Sequence, residues 1–255
     1  MTLKSPPCLL VTRPQGQGQS LCEKLQSAGY GCHHVPVMQI DLPRHSAERD
    51  AIHSCFSKLA HYRGLVFVSL NAAEQALPWL ASFPLQASHE LFAVGQSTAD
   101  YLQQKLQRRV FFPAQQMDSE GLLALPALQA AQVAGQHYLL LRGEGGRELI
   151  ASTLQARGAS VDSCVLYRRS MAASQGRRLR DLLPQVTVIL INSAESLEYF
   201  LAMANDSVNK QQYLLVPSER VAQYARSAGF QHIITAANAT DTAILEAVRR
   251  AFPAD

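Results

Sequence analysis

Short apolar runs alternate along the chain with stretches whose apolar residues recur at helical spacing. Residues 8–12 and 31–40 read as extended. Between them, residues 19–28 place Leu21, Leu25 and Ala28 on one face and stop at Gly29, the pattern of a helix with a glycine terminator. Ser46 can cap a further helix, with Ile52, Cys55, Phe56 and Leu59 as its apolar positions. More strands are predicted at 65–68, 91–94, 110–112, 138–142, 161–167, 186–191, 213–216 and 232–235, with a helical pattern between nearly every pair. Near-continuous apolar strands joined by helices must be covered on both faces, which makes parallel sheets. The class is α/β.

The pattern partly repeats. Val94-Gly95-Gln96-Ser97-Thr98-Ala99 and Val216-Pro217-Ser218-Glu219-Arg220-Val221 each lead into a helix, 122 positions apart. Val68-Ser69 and Asn192-Ser193 each end a strand and open a helix, 124 apart. Asp118-Ser119-Glu120-Gly121-Leu122-Leu123 resembles Thr240-Asp241-Thr242-Ala243-Ile244-Leu245 at 122, and Leu10-Val11-Thr12-Arg13 resembles Leu140-Leu141-Arg142 at 129. The common offset points to duplication of one α/β unit, hence two similar sheets.

Composition narrows the classes. The 255 residues are 47% hydrophobic, enough for one large or two small domains. A net charge of +3, spread rather than blocked, argues against a nucleic-acid arm or polybasic membrane anchor and suits a small anionic ligand. No apolar run approaches the ~18–20 residues of a spanning helix, and the start lacks the pattern of a secretory signal, so a cytoplasmic protein is expected. The five cysteines are scattered, none at metal-site spacing, and read as reduced and mostly buried. His33 and His34 would point to opposite faces of a strand. No metal site is expected.

Ligands of parallel sheets gather beyond the carboxyl ends of the strands, where helix N-termini present free N–H groups. This chain puts Thr12-Arg13-Pro14, Ser69 with Asn71, Gly95-Gln96-Ser97-Thr98, Arg142 to Arg147, Asn192 to Ser196, Pro217 to Arg220 and Asn238-Ala239-Thr240 there. Hydroxyls, amides, glycines and guanidinium forks make a rim of anion donors. Ser, Thr and Asn at a helix start are equally ordinary N-caps, and the arginines can equally be solvated. Arg142-Gly143-Glu144-Gly145-Gly146-Arg147 follows a strand but matches neither nucleotide-loop pattern, and no G-x-S-x-G elbow occurs. Tyr167 is either a hydrogen-bonded core residue or a phenol presented to a ligand.

Read together, these residues closely resemble the uroporphyrinogen-III synthase family, over almost the whole chain. Leu10-Val11-Thr12-Arg13-Pro14 resembles its opening strand and turn, Pro36-Val37-Met38-Gln39-Ile40 its exit into a linker, and Phe67-Val68-Ser69-Leu70-Asn71-Ala72 its "TS-x-N-A" turn. Ala93-Val94-Gly95-Gln96-Ser97-Thr98-Ala99 is similar to "AVG-x-x-TA", Leu141-Arg142-Gly143 with Gly146-Arg147 to "RG-x-x-GR", and Val165-Leu166-Tyr167 to the linker tyrosine. Val216-Pro217-Ser218-Glu219-Arg220 and Ala239-Thr240-Asp241 resemble the closing steps. Val68 stands where the family often has Thr, and Asn192 stands there in the second copy.

The resemblance implies two flavodoxin-like, three-layer domains with a cleft between them. One comprises 1–37 plus 172–255 and the other 47–162, joined by a two-stranded linker, 38–46 with 163–171. It implies cyclisation of hydroxymethylbilane, a linear tetrapyrrole with an acetate and a propionate on each ring, to uroporphyrinogen III. Ring D is inverted and water is lost, mainly by orientation of the substrate, with no cofactor. Tyr167 is the candidate catalytic residue. Thr12, Arg13, Ser69, Asn71, Gly95, Thr98, Arg142, Gly143, Arg147, Ser193, Ser218 and Thr240 are the candidate substrate contacts. The implied partner is this small polycarboxylate, with no nucleic acid or membrane, and a monomer is expected. The rival readings are a non-catalytic two-lobed anion or tetrapyrrole-binding protein derived from the same fold, and a nucleotide-dependent α/β enzyme.

Overall fold

A computed structural model describes residues 6–146 and 148–253. In chain order the strands are β1 (Cys8–Val11), β2 (Gly31–His34), β3 (Met38–Asp41), β4 (Gly64–Phe67), β5 (Glu90–Ala93), β6 (His137–Gly143), β7 (Ser160–Met171), β8 (Val188–Leu190), β9 (Tyr213–Val216) and β10 (Ile233–Thr235). The helices are α1 (Gln19–Ser27), α2 (Ser46–Ser57), α3 (Leu70–Ser82), α4 (Gln96–Leu106), α5 (Ser119–Leu123), α6 (Ala130–Val133) and α7 (Leu149–Ala156). They continue as α8 (Gly176–Leu182), α9 (Ala194–Ala204), α10 (Glu219–Ser227) and α11 (Asp241–Ala251). The chain divides into two compact units, residues 1–39 with 170–255 and residues 40–169.

In the first unit the strand order is β10-β9-β8-β1-β2, with parallel pairing throughout. Successive strand residues enter opposite cores, as the period of two requires. Leu10, Ile189, Leu214 and Val216 pack under α8, α9 and α10 through Leu179, Leu197, Phe200 and Val221. Leu9, Val11, Val188, Leu190 and Leu215 pack under α1 and α11 through Leu21, Leu25, Ile244 and Val248. The second unit orders its strands β3-β7-β6-β4-β5, with β4, β5, β6 and β7 parallel. Leu65, Phe67, Leu91, Ala93, Leu139 and Leu141 meet α2, α3 and α4; Val66, Phe92, Tyr138 and Leu140 meet α5, α6 and α7. Each unit is therefore helix, sheet, helix.

The sequence repeat falls on equivalent strands. Counting outward from the middle of each sheet, β8, β9 and β10 correspond to β4, β5 and the bridge at Phe111, and β1 and β2 correspond to β6 and β7. The first unit thus begins its strand series at a different point in the chain, a circular permutation of the second. In each, the order reverses at one place, between β8 and β1 or between β4 and β6, which is the switch point where ligands of open parallel sheets sit.

Several local expectations are corrected. The strand predicted at 110–112 reduces to a single parallel bridge between Phe111 and Phe92, because Pro113 has no N–H to extend the ladder. The extended run 31–40 is divided by Val35-Pro36-Val37 into β2 and β3. Ser46 is the first helical residue rather than the cap. The carboxylate of Glu48 accepts from the backbone N–H groups of His45 and Arg44, at 3.2 and 3.0 Å. Against the expectation of reduced cysteines, Cys22 and Cys32 form a disulfide, because packing of α1 on β2 brings their Cα atoms to 5.5 Å. Cys8, Cys55 and Cys164 are free thiols. Among the described residues no helix is long and apolar enough to cross a membrane, and no group of three His, Cys, Asp or Glu could hold a metal ion.

Candidate functional site

In the second unit the switch point assembles Ser69, Arg142, Gly143 and Tyr167. Strand β4 ends at Phe67 and α3 opens at Leu70, so Ser69 falls at the N-cap, where its hydroxyl accepts from the Ala72 N–H at 3.1 Å. The same hydroxyl lies 2.9 Å from the phenol oxygen of Tyr167. Tyr167 reaches it because the β6–β7 register slips: Arg142 faces Val165, but Gly143 faces Tyr167. This bulge re-aims the side chain. The ring then lies on the Gly143 backbone, where a Cβ would stand 2.6 Å from two ring carbons. Tyr167 is 2% exposed, and its carbonyl accepts from the Glu144 N–H at 2.8 Å.

Arg142, 6% exposed, turns back over the following loop. Its guanidinium donates to the Gly145 carbonyl at 2.5 Å and to the Glu148 carboxylate at 2.7 Å. It shapes the loop that follows Gly143. Beside Ser69, Gly95 is the N-cap of α4, Thr98 is buried in the first turn of that helix, and Asn71 is half-buried in the first turn of α3. Arg147 lies outside the described residues.

In the first unit the strand tips carry Thr12, Arg13, Ser193, Ser218 and Thr240. The Thr12 hydroxyl donates across the switch point to the Leu190 carbonyl at 2.5 Å. Arg13 is only 9% exposed and has partners on three sides. It donates to the Asp241 carboxylate at 2.5 Å, to the Ala239 carbonyl at 2.7 Å and to the Gln17 carbonyl at 3.4 Å. Asp241 also accepts from Lys24 at 2.9 Å and Ser20 at 3.1 Å. Burial alone would raise the Asp241 carboxyl. Hydrogen bonds and charge from Lys24 and Arg13 outweigh that and hold it below the usual carboxylate range.

Ser193, Ser218 and Thr240 are the N-caps of α9, α10 and α11, accepting from Ser196, Val221 and Ala243 N–H groups at 3.1, 3.4 and 3.3 Å. Thr240 also donates to Asn238 at 2.6 Å. Arg220 is exposed in the first turn of α10. The hydroxyls thus hold the helix ends whose remaining N–H groups point past the strand tips. The tie from Arg13 to Asp241, 228 residues away, has no signal in the sequence, since no local motif links residues so far apart. The contact of Tyr167 with Ser69 and Gly143 is likewise absent from the sequence reading, although each residue is a candidate there.

A sequence model described as "Uroporphyrinogen-III synthase HemD" matches residues 19–246. The chain belongs to the uroporphyrinogen-III synthase family. It is 32% identical over 254 residues to the uroporphyrinogen-III synthase of Escherichia coli (strain K12), covering 94% of this chain and 99% of that protein. To the Proteus mirabilis uroporphyrinogen-III synthase it is 36% identical over 168 residues, 63% of this chain and 79% of that one. The fold is similar to the crystal structure of uroporphyrinogen-III synthetase from Helicobacter pylori 26695, with a TM-score of 0.61 at 15% identity, covering 94% of this chain and 97% of that one. A mutant uroporphyrinogen III synthase from the extremely thermophilic bacterium Thermus thermophilus gives 0.60 at 14% identity, covering 96% and 98%. This likeness extends to the two parallel sheets.

Proposed function

We infer that the chain carries its family's activity: it converts hydroxymethylbilane to uroporphyrinogen III, inverting ring D with loss of water, and acts as a lyase of haem biosynthesis. The observation that carries this reading is the match, nearly end to end, to proteins named uroporphyrinogen-III synthase. The substrate bears an acetate and a propionate on each of its rings, so it asks for many modest donors. At the strand tips the hydroxyl caps Ser69, Ser193, Ser218 and Thr240 and the backbone of Gly95 and Gly143 order such donors. Thr12, Asn71, Thr98 and Arg142 border them, and with Arg13 and Arg147 they form the proposed contact set. Departure of the terminal hydroxyl as water leaves a cationic azafulvene. Attack through the substituted carbon of ring D, by way of a spiro intermediate, then inverts that ring before closure. Catalysis is largely orientation, since closure without inversion competes.

The Tyr167 phenol donates to the departing hydroxyl. Its ring is fixed by Gly143 and its oxygen by Ser69, so little reorganisation is needed when charge develops. The protein works as a cytoplasmic monomer without nucleic-acid partners, and the 38–46 and 163–171 segments join a domain of 1–37 plus 172–255 to one of 47–162. Incubating the purified chain with hydroxymethylbilane and resolving the type-I and type-III isomers tests the reading. Type-III product in excess of the spontaneous reaction supports it. Binding with purely type-I product supports instead a non-catalytic tetrapyrrole-binding protein.

A further inference from the structure

Among the described residues two buried side-chain atoms have no hydrogen-bond partner, Asn192 Oδ1 and Gln212 Oε1. They differ in kind. The Gln212 amide nitrogen donates to the Leu183 and Val186 carbonyls, at 2.8 and 2.7 Å, so its oxygen is left over from a structural tie. Asn192 makes no such tie. It follows Ile191, whose N–H donates to Leu215 at the last rung of the sheet, and it precedes the Ser193 cap of α9. It therefore sits at the tip of β8, at the switch point where β8 and β1 part.

The sequence repeat supplies an internal control. The equivalent position in the second unit, one residue before the Ser69 cap, is Val68, which packs partly buried against the cores on both faces of that sheet. An apolar branched side chain thus satisfies the architecture there. A buried acceptor without a donor is a cost to folding that the Val68 position avoids. Asn192 keeps that cost, and the orphaned atom asks for a donor from outside the chain.

Resting on the function inferred above, we propose that Asn192 is a substrate-binding residue whose side-chain oxygen accepts a pyrrole N–H of the bilane. The carboxylates of such a substrate are acceptors and match the cap N–H groups. Its donors are the ring N–H groups and the one terminal hydroxyl, and an unpaired acceptor among anion-binding donors is the complement the rings require.

The test compares Asn192→Val, which copies the other unit, with Asn192→Thr, which keeps a neutral acceptor. Thermal unfolding and steady-state turnover of hydroxymethylbilane to type-III product are measured for each. N192V is expected to unfold at or above the wild-type temperature while kcat/KM falls about tenfold, mostly in KM. N192T is expected to retain more of kcat/KM than N192V. Unchanged kcat/KM in N192V, or a loss matched by a lower unfolding temperature in both variants, overturns the proposal. If N192T is no better than N192V, an acceptor at this position makes no contact with the substrate, and the pyrrole assignment fails. Absence of type-III product from the wild-type chain counts instead against the inferred function. Binding of the bilane by wild type and N192V, followed by fluorescence, then decides the Asn192 contact by itself, equal affinities overturning it.

Discussion

The Ser69 hydroxyl and the Tyr167 phenol oxygen lie 2.9 Å apart and join the N-terminus of α3 to the bulged strand β7. Replacing Tyr167 by Phe removes this bond and the phenolic proton while leaving the ring on Gly143. Stability should drop by about 1 kcal/mol. Turnover to type-III product should drop far more, by roughly a hundredfold in kcat if the phenol assists departure of the hydroxyl. Isomer-resolved kinetics check this, and undiminished type-III formation removes Tyr167 from the mechanism.

Gly143 has no room for a side chain, since a Cβ would stand 2.6 Å from the Tyr167 ring. Gly143→Ala must push the ring out of line with Ser69. A loss of about 1–3 kcal/mol on urea unfolding is expected, the usual cost of overpacking. A fall in kcat should accompany it. Wild-type stability together with wild-type kcat would show that the ring has another place to go.

Arg142 uses both arms of its guanidinium, one on Gly145 and one on Glu148. Lysine supplies the charge without the fork. Arg142→Lys is therefore expected to loosen residues 143–146 and raise KM, with faster amide exchange confined to that loop. An unchanged exchange pattern would mean that Arg142 does not order it.

Asp241 sets a pH dependence in the first unit. Its folded pKa lies below the ordinary aspartate value of 3.8, so its contribution is complete above that value and is lost as pH falls through the lower folded pKa. Unfolding temperature should therefore decline on acidification below about pH 4. Asp241→Asn should flatten that decline and lower stability at neutral pH, because the buried Arg13 would lose its half-buried counter-charge. Equal acid sensitivity in wild type and D241N would place the titrating group elsewhere.

The parallel sheets are legible in the sequence because their strands are apolar at nearly every position and punctuated by helix caps. Ser69, Gly143 and Tyr167 are legible as separate candidates. Their juxtaposition is not, because it depends on a local register shift between β6 and β7, and a single irregularity inside a strand is not marked by the alternation of apolar and polar residues. The Cys22–Cys32 link escapes for a related reason: helix-on-strand packing, not cysteine spacing, brings the pair together. The contrast between Asn192 and Val68 is visible in the repeat, but its meaning depends on the finding that the Asn192 oxygen is unpartnered.

The permuted order of the first unit has a consequence for biogenesis. Its strand β1 is made early but lies between β2 and β8, and β8 emerges from the ribosome only after the whole of the second unit. The second unit is one uninterrupted stretch and can close on itself during translation. The nascent β1–β2 pair meanwhile keeps an open, apolar edge until β8 arrives, which makes that edge the place where a truncated or stalled chain would aggregate.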